Sequence, residues 1–484
     1  MIRFFFIFLF LSCFLYADFS QIYRDILNYQ FEKAADEISE QNLFPAQKNF
    51  LESLLLGYRG NYAEAYKRIK DTDIKTDFDW KNYFKKMAEI SLNFIEKKSG
   101  IFTVRFYSQD KVMFLFFDEI SNKISSEVSN FFRIKEKNVI FEIYPDKEKF
   151  LFASTLSEEE LNRSGTVAIA KFGRLMILSP RLLPYGYNWQ NTVCHEFIHH
   201  IIARKTALNI PLFLNEGLAK TFEIIWRGEK PQLSEKTKDI LARAKKEGFI
   251  SFEKFKRGMP SLSSQDEVSR AFAEVNFFVL KLIEEFGMNK ISRFLEDCKV
   301  YGFLKSFNKN FINFKNFLKD FWNLLENNNW QYRGFVEDFI YWKKTDTFFP
   351  YSISDYIRLG DRLRMRQKFS LALIQYKKAL EKEPENSLIH IKIAKTFLKL
   401  GKKMEANEHF QKALKNAPQN FIVLTNYADF LFMEGRFKEC IPLMEKAIQK
   451  NPFFRKGYRI LIESARKTGH KKLKEKYQKI FSEL

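Results

Sequence analysis

The chain has 484 residues, 46% apolar and 29% charged, with 80 Lys and Arg against 59 Asp and Glu for a formal charge of +21. That length exceeds what one hydrophobic core holds and predicts two to four domains, and the composition excludes a disordered chain. The positive surplus comes without a compact basic motif or RNA-binding signature, so no nucleic-acid partner is expected.

Arg3 precedes an uncharged run from Phe4 to Tyr16 that is apolar at every position but Ser12. Spanning a bilayer takes about 20 residues, so this run is too short and fits the core of a secretory signal instead. Ala17 supplies the small residue before the cut, which makes residues 1–17 the expected signal peptide. The mature protein is then exported, to the periplasm or cell envelope. Cys13 leaves a lipid anchor open, and membrane contact is expected only if that residue is lipidated. Cys194, Cys298 and Cys440 remain, which is no disulfide framework.

Residues 18–98 read as a helical segment throughout. Within it, Gly57, Tyr62 and Ala65 match one unit of the repeat found near the C-terminus. At Gly100 the pattern changes. "FTVRFY", "NVIFEIYP" and "SGTVAIAKFGRLMILSP" alternate or run apolar and end at prolines, which predicts strands. Helical patterns follow, so residues 99–345 form an α+β domain. Its last part, Phe307 to Tyr341, is aromatic and helical in pattern, with interleaved Lys and Asn that fit core packing better than a membrane surface.

Three of the chain's six histidines lie in "TVCHEFIHHIIARK", residues 192–205. On a helix, His195 and His199 share one face, a turn apart, and can aim two imidazoles at one metal ion. Glu196 is turned about 100° from them, beside the metal, where it suits a general base for water that the metal acidifies. Val193, Cys194, Phe197, Ile198, Ile201 and Ile202 form the apolar back of this helix. His200 falls with the polar side. A third ligand is offered by Glu216 in "PLFLNEGLAKTFE", early on a helix that starts near Pro211. Gly217 and Ala219 keep its surface small, so that the two helices approach. Two His and one Glu leave a fourth position open, the pattern of catalytic rather than structural zinc. Glu223, seven residues on, returns to the same face and can orient a ligand histidine.

Residues 353–484 repeat. Pro384, Pro418 and Pro452 are spaced by 34 residues, as are Ala379, Ala413 and Ala447, and Ala372, Ala406 and Cys440. That period with small residues at fixed places marks tetratricopeptide repeats, three of them to about residue 454, followed by a polar capping helix. This α-solenoid predicts a protein partner in its groove.

"HEFIH" and "LNEGLAKTFE", with sixteen residues between His199 and Glu216, resemble the gluzincin zinc metallopeptidases, in particular the peptidase MA-like domain often joined to tetratricopeptide repeats. The resemblance covers about residues 99–325 and includes "FTVRFY", "EIYPDKEKF", "GRLMILSP" as an edge strand, and "FFVLKLIEEFG". It implies one zinc per chain held by His195, His199 and Glu216, with Glu196 as base and a peptide or protein as substrate. The Gly-x-Met-Glu-Asn stretch of aminopeptidases is missing, which favours an endopeptidase. Where relatives often carry an oxyanion-stabilising Tyr, this chain has Phe272; Asn276, Tyr185 and Tyr187 are the substitutes on offer. Two readings follow. One is an exported zinc metallopeptidase whose repeats recruit substrate or partner. The other is a weakly active or non-catalytic envelope scaffold built on the repeats and a degenerate peptidase fold.

Overall fold

The computed structural model describes residues 18–336, 339–343, 349 and 351–484. The expected signal peptide and Cys13 lie outside them. The chain is mostly helical with one small sheet, and among the described residues no helix is long and apolar enough to cross a membrane.

Helices at 18–27 (α1), Phe31–Glu40 (α2), Pro45–Tyr58 (α3), Tyr62–Ile69 (α4) and Trp80–Ser91 (α5) come first. The all-helical expectation for 18–98 fails at its end, because Ile95–Ser99 is a strand, β1. It pairs antiparallel with β2 (Phe102–Phe106) across Gly100, which takes the left-handed φ of +58° that the tight turn needs. Four of the five β1 residues face solvent, so "IEKKS" carries none of the alternation of a half-buried strand. Charged residues on a sheet edge also discourage pairing with other chains.

The sheet continues with β3 (Val139–Tyr144), β4 (Ala168–Lys171) and β5 (Arg174–Leu178), in the order β1-β2-β3-β5-β4. β2, β3 and β5 run parallel, and β4 folds back antiparallel on β5. "GRLMILSP" is therefore interior, not the edge expected; the edge is "AIAK". The reason is legible in burial: β5 is buried throughout, as inner parallel strands are, while β4 is half-buried. The helix Lys111–Phe132 (α6) carries the chain from β2 to β3, and Lys147–Ser154 (α7) and Glu158–Ser164 (α8) lead on to β4.

One sheet face packs on α6 and on the helix Trp189–Thr206 (α9), with the Phe102 ring 5.2 Å from both Phe117 and Phe197. The other face is covered by α3–α5. There the fully buried Glu142 accepts hydrogen bonds from Tyr62 (2.5 Å) and Tyr144 (2.6 Å) and pairs with the fully buried Arg174 at 3.0 Å. Removing one member of such a pair costs about 3–5 kcal/mol, because a buried charge is left uncompensated. The N-terminal helices are thus half of the sheet's packing rather than a separate module.

After α9 come Leu212–Phe222 (α10), Glu235–Glu247 (α11), Gln265–Phe286 (α12), Met288–Tyr301 (α13), Phe303–Asn310 (α14) and Phe314–Asn327 (α15). Phe317 and Phe321 are buried within 5.2 Å and 5.1 Å of the Phe278 ring, the core packing expected of the aromatic segment. Its helix ends at Asn327 rather than running to Tyr341, where three consecutive asparagines and Gly334 break the pattern.

Tetratricopeptide-type pairs follow: Tyr351–Met365 (α16) with Phe369–Lys382 (α17), Ser387–Lys399 (α18) with Lys403–Asn416 (α19), Phe421–Met433 (α20) with Phe437–Lys450 (α21), and Arg455–Lys467 (α22) with Lys471–Phe481 (α23). The expected capping helix is a fourth pair: α18, α20 and α22 start 34 residues apart, and so do α19, α21 and α23. Ala372, Ala406 and Cys440 are fully buried between helices, and a Cβ at Gly360 would stand 2.5 Å from the Tyr376 ring. The turns between pairs lie against the α+β part. Trp189 Nε1 donates to the Gln449 carbonyl at 2.6 Å, and Glu385 N donates to that of Arg333 at 3.0 Å.

Candidate metal centre

α9 is buried on nearly every side. Val193, Cys194, Phe197, Ile198 and Ile201 are fully buried under the sheet, and this anchorage fixes which way the remaining face looks. His195 and His199 look toward α10, where Glu216 sits in the second turn. Their Nε2 atoms are 3.0 Å apart, and Glu216 Oε2 lies 3.5 Å from the first and 3.4 Å from the second. Three ligands at about 2.0–2.2 Å from one tetrahedral ion stand about 3.3–3.6 Å from each other, so this donor set fits zinc with little adjustment.

The outer ring nitrogens are held. Glu223 Oε2 is 3.2 Å from His195 Nδ1, and Asn215 Oδ1 is 3.0 Å from His199 Nδ1. An acceptor at Nδ1 fixes the tautomer that leaves Nε2 bare for a metal. Asn215 carries no motif of its own in the sequence. The only hint was its place next to Glu216, and whether it reached His199 depended on how α10 crosses α9. His200 departs from the expected polar side: it faces away, with Nε2 3.9 Å from Glu136 and its ring 6.1 Å from that of Tyr29.

Burial lowers His195, but Glu216 and Glu223 outweigh it and push the imidazole up to about 10. Burial alone would raise Glu216; His199 and His195 reverse this and hold it well below the usual carboxylate range. Glu196, 6% exposed, is raised by burial despite the neighbouring His199 and His195. It lies outside the ligand triangle, toward the backbone of Ala170 on edge strand β4.

The expected oxyanion donors are engaged elsewhere. Tyr187 donates its hydroxyl to the Leu178 carbonyl at 2.6 Å, and Asn276 Nδ2 donates to Thr221 at 3.0 Å. Tyr185 packs on Tyr341 and, in the repeats, on Phe421. Phe272 does reach the site, its ring 5.8 Å from that of His195. Gly217 also departs from expectation. A Cβ there would meet the Val275 carbonyl at 2.7 Å, so the close approach it permits is to α12, not α9.

No protein-family model matches the chain, and no curated protein does. Among solved structures, a MamA RS-1 double mutant is similar over 28% of this chain and 75% of its own, at 16% identity and a TM-score of 0.26. A MamA structure from Desulfovibrio magneticus RS-1, residue 41 to the end, gives 28%, 76%, 17% and 0.26 for the same quantities. A structure of Pseudomonas aeruginosa pilF gives 27%, 61%, 24% and 0.24. Likenesses this distant carry no argument for fold or site, which rest on the chain's own geometry.

Proposed function

We propose that this chain is a zinc-dependent endopeptidase resembling the gluzincins, with His195, His199 and Glu216 as ligands and Glu196 as general base. The observation that carries the reading is the convergence of those three donor atoms to within 3.5 Å, with a buried, unliganded carboxylate beside them. Zinc, when bound, supplies a Lewis acid that polarises the peptide carbonyl and acidifies water. Glu196 takes a proton from the attacking water and returns it to the departing nitrogen; its raised pKa suits both halves of that exchange. The outer edge of β4 is the natural seat for an extended substrate, which would pair there as a sixth strand, its backbone running past Glu196.

The repeats support a second reading, an envelope interaction scaffold. Residues 353–484 hold 29 Lys and Arg against 14 Asp and Glu, 15 of the chain's surplus of 21. Lys395 on α18 is lowered by burial and by Arg364 on α16 and Lys392 beside it, with Asp429 of α20 opposing and Lys456 of α22 adding to the effect. The first helices of successive pairs bring Arg364, Lys392, Lys395 and Lys456 together with Asp361, which pairs with Lys392, and Asp429, which pairs with Lys456; the net positive charge of the repeats favours an acidic protein partner. Digestion of an unbiased peptide library by zinc-loaded protein separates the readings. Cleavage that disappears in Glu196→Gln supports the peptidase; zinc binding with no cleavage leaves the scaffold.

A further inference from the structure

Large apolar side chains grouped in water mark a contact surface. At the turn between α13 and α14 the chain exposes three of them within five residues: Val300 (71%), Tyr301 (44%) and Leu304 (58%). Leu208, 46% exposed in the turn between α9 and α10, joins this tip, because the next residue, Asn209, donates from Nδ2 to the Lys299 carbonyl at 3.5 Å. The aromatic residues that follow behave differently: Phe307, Phe317 and Phe321 are buried. The exposed group is therefore confined to the tip.

Charge at the tip is mostly positive. From Cys298 to Lys319 the sequence has five lysines and no acid, and residues 206–215 are uncharged. Lys305 and Lys309 hold their Nζ atoms 5.0 Å and 4.6 Å from the centroid of the Tyr301 ring. Of the two acids just before this stretch, Asp297 pairs with Lys309 at 3.0 Å and Glu296 with Lys205 at 2.8 Å. Among the described residues Lys299 and Lys305 are in no ion pair, so their charge is left for an anion outside the chain.

We infer that this tip is a membrane-docking surface that takes the headgroup layer of an anionic bilayer. Side chains that stand out by half or more of their surface need a soft layer that closes round them, which a bilayer interface supplies. Val300 and Leu304 enter the boundary between headgroups and acyl chains, and Tyr301 sits at headgroup level with its hydroxyl in water. The lysines run their stems along this apolar surface and carry their ammonium groups to the lipid phosphates. Attachment of this kind is peripheral and reversible, and it needs neither Cys13 nor a spanning helix.

The test uses residues 18–484, which hold every described element, so the apolar run before them takes no part. Co-sedimentation is measured with vesicles of phosphatidylglycerol and phosphatidylcholine in equal parts, and with phosphatidylcholine alone. The parent should sediment with the first and not the second. The basic repeats could also attract anionic lipid, so the deciding variant keeps every charge: Val300→Ser with Leu304→Ser should lower partitioning at least about tenfold at an unchanged thermal midpoint. Lys299→Gln and Lys305→Gln should each lower it about fivefold. Cys194, Cys298 and Cys440 are buried, so a polarity-sensitive fluorophore goes to an introduced cysteine. It should shift to the blue on vesicles at Val300→Cys and stay unchanged at Met404→Cys, an exposed position on α19. Parent-like sedimentation of the serine variant, with the shift at Met404→Cys instead, would assign lipid binding to the repeats and overturn the proposal. A parent that stays in solution with anionic vesicles overturns it too, and a dimer dispersed by the serine substitutions would then make the tip a contact between copies. Neither measurement needs zinc or turnover, so the outcome is independent of the peptidase reading.

Discussion

At His195 the two ring nitrogens face different partners, Glu223 at 3.2 Å on Nδ1 and Glu216 at 3.5 Å on Nε2. Ligand and support are therefore separable by mutation. His195→Ala and Glu216→Ala each remove one of three donors and should abolish stoichiometric zinc in metal analysis. Asn215→Ala leaves all three donors and should weaken zinc about 10–100-fold, as loss of a ring-orienting partner does. Glu196→Gln should bind zinc like the parent while peptide cleavage drops about 10²–10⁴-fold. Full zinc occupancy in His195→Ala would remove the site as drawn.

Helix placement sets the geometry around those residues. α10 is pressed against α12 at Gly217, where a Cβ would lie 2.7 Å from the Val275 carbonyl and 2.9 Å from Val279. Gly217→Ala must push the helices apart, at a cost of about 1–3 kcal/mol. Because Glu216 is the next residue, zinc affinity should fall along with the thermal midpoint. Unaltered stability would mean the helices slide without strain. A second element-level effect belongs to the repeats. His390 and His409 face each other through Nδ1 at 2.9 Å, while His390 Nε2 donates to the Pro384 carbonyl at 3.2 Å. His390 Nδ1 is then the acceptor and His409 the donor, an arrangement that requires His390 to be neutral. Burial lowers His409 to about 4, helped by His390, Lys412 and Lys377; burial also lowers His390, with Lys412 adding and Glu385 and the Pro384 carbonyl opposing. A histidine lowered in the fold contributes its full stability above about 6.5 and loses it as pH falls toward 4. With solvent screening at the partly exposed His409 taken into account, the loss is about 1 kcal/mol. Denaturant melts of wild type and His409→Gln should diverge between pH 7 and 4.5, wild type falling faster; parallel curves would count against the pairing.

Across the whole molecule, the repeat array and the α+β part share the loop before α9. Trp189 reaches the Gln449 carbonyl, and Asn451 Nδ2 donates to that of Leu183 at 3.4 Å. Gly186, at φ +59°, lies so close to Lys450 that a Cβ would stand 2.4 Å from its carbonyl. The end of α21 is thus fixed beside the start of α9, the helix that carries His195 and His199. If the repeats' positive surplus recruits an acidic protein partner, that binding should weaken steeply between low and physiological salt. Salt-independent binding would assign the surplus lysines to composition alone. Export is the other molecule-scale expectation. N-terminal sequencing of protein from its native host should begin at Asp18, and an intact Met1 would count against a cleaved signal.

The local patterns that sequence expresses directly are those with a fixed period. Four residues separate His195 from His199 and seven separate Glu216 from Glu223, and helical geometry turns each spacing into a shared face. Thirty-four residues separate Pro384 from Pro418, and that interval defines the repeat without reference to anything distant. What depends on packing between elements was not legible. "IEKKS" pairs as an edge strand only because β2 lies beside it, and "RLMIL" became interior only when β4 folded over its outer side. Asn215 acquires its contact with His199 from the crossing of α9 and α10, since no helical interval relates the two residues. The donor chemistry was carried by residue type and spacing. Which side chains surround it was decided by the tertiary structure, because only packing brings helices from distant parts of the chain to within hydrogen-bond distance.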